Sequence, residues 1–96
     1  MTDEDAGGPA PRYLANRDVS KREEDGGTLL YDPDADEVTI VNDAGAELWT
    51  ALAEPRTVDE LAAHLVAVFD GLDAEQARAD VRTFLDEMPA TFVAAV

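Results

Sequence analysis

The 96-residue chain sets seven Lys and Arg against 22 Asp and Glu, a formal charge of −15 that repels phosphate backbones and anionic membrane surfaces and counts against both as partners. Its length suits one domain with a modest core rather than a large enclosed active site, and 46% hydrophobic residues is enough apolar material to fold it. No cysteine is present, which excludes disulfides, thiolate metal sites and a cysteine nucleophile, and no run reaches the roughly 18 apolar residues that span a bilayer.

The start, Met1-Thr2-Asp3-Glu4-Asp5, is acidic where a signal peptide is basic, so a cytoplasmic protein is expected. Residues 1–16 run through Gly7-Gly8-Pro9-Ala10-Pro11 with few large apolar side chains and predict a flexible arm before a domain over 17–96, with Tyr13 and Leu14 able to tuck against that domain.

From Asp18 the pattern is short and extended. Val19-Ser20-Lys21-Arg22, Thr28-Leu29-Leu30-Tyr31 and Val38-Thr39-Ile40-Val41 are separated by a Gly26-Gly27 turn and by Asp32-Pro33-Asp34-Ala35-Asp36, which predicts three antiparallel strands. At Asn42-Asp43 the period changes to about 3.6. Ala44, Leu48, Trp49 and Leu52 form one stripe of a helix that ends before Pro55. Thr57-Val58-Asp59-Glu60 has capping-box spacing and opens a second helix, with Leu61, Leu65, Val68 and Phe69 on its buried face and Gly71 as its stop. A third helix starts at Asp73, again with capping-box spacing to Gln76, and carries Ala77, Val81, Phe84, Leu85 and Met88 until Pro89 forbids continuation. The tail Thr91-Phe92-Val93 packs back as a short extended piece. The expected fold is α+β and winged-helix-like, a three-stranded antiparallel sheet followed by a three-helix bundle.

No catalytic or metal centre follows from the residues. Three carboxylates alternate in Asp32-Pro33-Asp34-Ala35-Asp36, but a calcium loop wants Gly at its sixth position and Glu at its twelfth, where this chain has Glu37 and Asp43; a solvated turn is expected. His64 is the single histidine and has no Ser, Cys or second His within helical reach. The glycine pairs lie in the arm and between strands, not between a strand and a helix, so they form no phosphate loop. Trp49 sits on the core stripe and reads as core rather than as a ligand stacker.

The segments Gly27-Thr28-Leu29-Leu30-Tyr31-Asp32-Pro33, Val41-Asn42-Asp43-Ala44-Gly45-Ala46-Glu47-Leu48-Trp49, Pro55-Arg56-Thr57-Val58-Asp59-Glu60-Leu61 and Asp80-Val81-Arg82-Thr83-Phe84-Leu85 occur in the order seen in PqqD-like proteins. These are the pyrroloquinoline quinone biosynthesis chaperones and the wider class of precursor-peptide recognition elements, and the chain resembles them over roughly 19–92. It departs from them in having Met88-Pro89-Ala90 where a Gly usually follows the last helix, and Glu54-Pro55 where an Asp-Gly turn usually precedes the second. The resemblance implies a non-catalytic domain, without cofactor, that captures the leader segment of a ribosomally made precursor peptide and presents it to a modifying enzyme, often a radical SAM protein. It further implies that the leader adds as an antiparallel strand beside Val38, Thr39, Ile40 and Val41, flanked by Arg78, Val81, Arg82 and Leu85 of the third helix.

Physical chemistry supports such a site independently, because an edge strand offers unpaired N–H and C=O groups that an incoming peptide satisfies. Arg78 and Arg82, one turn apart, are placed to meet acidic leader side chains, or alternatively to pair with Glu75 or Asp86 along the helix. Two other functions share this order of elements: a winged-helix DNA-binding domain, for which the last two helices carry too few cations, and a regulatory protein-interaction domain.

Overall fold

A computed structural model describes residues 10–96; residues 1–9, most of the expected arm, lie outside the described residues. The chain forms β1 (Tyr13–Ala15), β2 (Ser20–Glu24), β3 (Gly27–Asp32), β4 (Glu37–Val41), α1 (Asp43–Ala51), α2 (Val58–Val68), α3 (Ala74–Glu87) and β5 (Val93–Ala95). The expected three-stranded antiparallel sheet, in the order β2-β3-β4, is followed by the three expected helices.

Alternation in β3 sets the layers. Thr28, Leu30 and Asp32 are buried toward the helices while Leu29 and Tyr31 face outward. Register carries this pattern across the sheet. Thr39 and Val41, opposite Leu30 and Thr28, lie on the helix side, and Val38 and Ile40, opposite Tyr31 and Leu29, lie on the outer side. Glu24 pairs with Gly27, so the β2–β3 loop is Asp25-Gly26, one residue earlier than the Gly26-Gly27 turn expected, and Gly27 already belongs to β3. Glycine is needed there: its φ is +144°, and a Cβ would stand 2.6 Å from the Val41 carbonyl oxygen.

The core lies between the sheet's inner face and the helices. Leu30, Leu52, Leu61, Leu65, Ala77, Val81 and Phe92 have no solvent exposure. Trp49 is buried on the α1 stripe, edge-on to Phe92 with ring centroids 6.3 Å apart, and is core as expected. The α2 capping box is complete: Thr57 Oγ1 accepts from the Glu60 amide and the Glu60 carboxylate accepts from the Thr57 amide. At α3 only half of the box forms. Asp73 accepts from the Gln76 amide, but the Gln76 side chain donates to Asp80 instead, one turn along the helix. On α2, Ala62 takes the buried place expected of Val68, which is exposed, and Phe69 caps the helix in an extended conformation before Gly71 is reached.

Tyr13–Ala15 form a strand paired antiparallel with β5, so the part of 1–16 next to the domain is fastened to it. Tyr13 and Arg56 exchange backbone hydrogen bonds, the Ala15 amide donates to Leu52, and the Asn16 amide donates to Phe92. These bonds are all distant in sequence, which is why a three-residue strand leaves no periodic trace. Among the described residues no helix is long and apolar enough to cross a membrane.

Candidate functional site

The sheet β2-β3-β4 has two edges of different chemistry. β2 reads Ser-Lys-Arg-Glu-Glu and is exposed throughout, the charged composition that discourages another strand from pairing. β4 reads Glu-Val-Thr-Ile-Val and carries no cation, and Val38 and Ile40 are 55% and 63% exposed. An edge that is apolar apart from a single charge at its Glu37 end is the kind that accepts an added strand.

Beside this edge lies an open cleft of about 320 Å³, lined by Ile40 and Val41 of β4, by the start of α1 (Asn42, Ala44, Gly45, Leu48) and by Asp80, Thr83, Phe84 and Glu87 of α3. Each wall has a local cause. Asn42 caps α1 by accepting from the Gly45 amide at 2.9 Å, which turns the chain sharply out of β4. Gly45 lets that first turn close on β4, since a Cβ there would stand 2.7 Å from the Val41 Cβ. At the opposite end of β4, Thr91 donates to the Glu37 carboxylate at 3.1 Å and ties the strand to the segment after α3.

The flank expected on α3 is not the one that borders this cleft. Taking Asp80 as the reference at about 100° per residue, Thr83, Phe84 and Glu87 fall within roughly 60° of it, while Arg78 and Arg82 stand roughly 160° away on the far side. The contacts agree: Arg78 pairs with Asp59 of α2 at 3.5 Å, not with Glu75, and Arg82 makes no ion pair among the described residues. Val81 has no solvent exposure and belongs to the core, and Leu85 is half-buried against it. Of the eight expected positions the structure groups Val38, Thr39, Ile40 and Val41 at the edge, and it turns Arg78, Val81, Arg82 and Leu85 away from the cleft. The sequence does not single out Asp80, Thr83, Phe84 and Glu87 as cleft-lining, because an amphipathic pattern marks the buried stripe of a helix but not which shoulder meets the sheet.

The remaining candidates are structural. In the turn between β3 and β4, Asp32 is buried rather than solvated and accepts from the Asp34 and Ala35 amides, an Asx turn. The Tyr31 hydroxyl donates to Asp36 at 3.2 Å, and that carboxylate raises the phenol's pKa above its ordinary value. His64 Nε2 lies 3.0 Å from Glu47 Oε1 and joins α2 to α1.

The family model described as Coenzyme PQQ synthesis protein D (PqqD) matches residues 27–91. No curated protein matches the chain. Among solved structures it resembles lasso peptide synthetase B1 complexed with the leader peptide, at 18% identity and a TM-score of 0.66 over 88% of this chain and 96% of that one. It also resembles TbiB1 in complex with the TbiA(beta) leader peptide, at 19% identity and a TM-score of 0.62 over 76% of this chain and 84% of that one. At such identities the likeness establishes the fold.

Proposed function

The chain belongs to the PqqD family, and on that footing we propose that it is a non-catalytic recognition domain that binds the leader segment of a ribosomally synthesised precursor peptide and delivers it to a modifying enzyme, such as a radical SAM protein. The observation that carries this reading is the largely apolar edge of β4 lying beside the cleft against α3. A peptide laid along β4 gains main-chain hydrogen bonds from the strand and sequence selection from the cleft, two separable sources of affinity and specificity. Two structures of the same fold are leader-peptide complexes, which supports a peptide as occupant. The proposed contacts are Val38, Thr39, Ile40 and Val41 on the strand and Asp80, Thr83, Phe84 and Glu87 on the helix.

The test is a titration of the isotope-labelled chain with synthetic leader segments of candidate precursor peptides from the genome that encodes it, followed by amide NMR. Shifts should concentrate on 37–41 and on the α3 face of Asp80 and Phe84. Arg82→Ala should leave the dissociation constant unchanged, because Arg82 lies on the far side of α3. Shifts confined to β2 or to the α2–α3 surface would refute the assignment.

A further inference from the structure

The cleft is not neutral. Its base is apolar, formed by Val41, Ala44, Leu48 and Phe84, and two carboxylates, Asp80 and Glu87, stand in its lining with no Lys, Arg or His among the lining residues. Neither carboxylate has an ion-pair partner among the described residues. Asp80 is half-buried and, among the described residues, accepts only the neutral Gln76 amide group, at 2.8 Å, with no cation to offset its charge. An apolar base with anionic groups beside it complements a long side chain with an aliphatic stem and a cationic head.

The register of β4 adds a second condition. Successive residues of a strand laid against its free edge project to opposite faces, so those flanking a side chain in the cleft emerge on the outer face. There they meet Val38 and Ile40, the two most exposed apolar side chains of the sheet, with Leu29 and Tyr31 alongside. Cross-strand apolar neighbours on that face gain by covering one another.

We infer that the segment bound by this chain carries a Lys or Arg that enters the cleft toward Asp80 and Glu87, with an apolar residue on each side that packs over Val38 and Ile40. This rests on the peptide-binding reading and names the chemistry of its ligand. It reverses the charge preference that Arg78 and Arg82 suggested, because those cations face away from the cleft and the groups that line it are anions.

The full 96-residue chain is immobilised and panned at low ionic strength against a display library of fully randomised peptides about ten residues long, a strand with its flanks. Enriched peptides should share a central Lys or Arg between apolar residues and should shift the β4 amides when added to labelled protein. Their binding should weaken as salt is raised. The paired substitution Asp80→Asn and Glu87→Gln, which keeps side-chain size, should weaken them about tenfold while leaving the thermal midpoint in place. Panning on the Asp80→Lys, Glu87→Lys protein should move the central residue to Asp or Glu. Peptides that bind at β4 with a neutral or acidic centre, or that ignore the neutralising pair, would overturn this inference and leave the leader-binding reading intact. Failure to enrich any peptide that shifts β4 would overturn both.

Discussion

Replacing Gly45 with Ala tests the packing that builds one end of the cleft. In an exposed helix interior the change would stabilise by about 0.5–1 kcal/mol, because Ala surrenders less backbone freedom. Here the new Cβ would stand 2.7 Å from the Val41 Cβ and 3.3 and 3.4 Å from its two methyl groups. The nearest of these atoms is attached to the backbone of a paired strand, so relief requires moving the first turn of α1 or β4 itself rather than rotating a side chain. Overpacking of this kind costs about 1–3 kcal/mol, which offsets the helix gain and leaves a net loss of about 0–2.5 kcal/mol. In a domain of this size that is a fall of roughly 4–8 °C per kcal/mol in Tm. Gly26→Ala is the control: nothing lies within 4 Å of a Cβ at that position, and its change should be no loss but a gain of up to about 1 kcal/mol from the stiffer unfolded chain. Urea and thermal unfolding of both variants supply the numbers. A Gly45→Ala protein more stable than the parent would show that α1 does not press on β4 as described, and the cleft geometry would have to be redrawn.

Thr57→Ala removes one arm of the α2 capping box and should cost about 1 kcal/mol, measured by urea unfolding. Glu60 has a pKa below its ordinary value, chiefly because it accepts the Thr57 amide and secondarily because Arg12 and Arg56 are near. A carboxylate lowered by folding contributes stability above its unfolded pKa and loses it as pH falls through the folded value. Glu60→Gln should therefore cost stability at neutral pH, and that deficit should shrink on acidification below the ordinary glutamate range; a deficit constant with pH would be inconsistent with the assignment. Val81→Asp should abolish the cooperative unfolding transition seen by circular dichroism, since it places a charge at a position with no exposure, whereas Asp34→Ala in the exposed part of the turn should retain it.

Much of this architecture is written locally. The period change at Asn42, the Thr57–Glu60 box and the proline after Met88 mark the helices, and the β-branched runs around β3 and β4 mark the strands, because caps and alternation depend on neighbours in sequence. What depended on distant neighbours was hidden. β1 exists only because β5, Leu52 and Arg56 offer it hydrogen bonds. Asp32 looked like a solvated turn residue but closes an Asx turn with its side chain buried. Which shoulder of α3 faces the sheet was decided by how the helix rolls into the core around Ala77, Val81 and Phe84. That rotation sends Arg78 and Arg82 outward and brings Asp80 and Glu87 to the cleft, so pattern identified the strands, the family resemblance singled out β4, and tertiary packing chose the charge beside it.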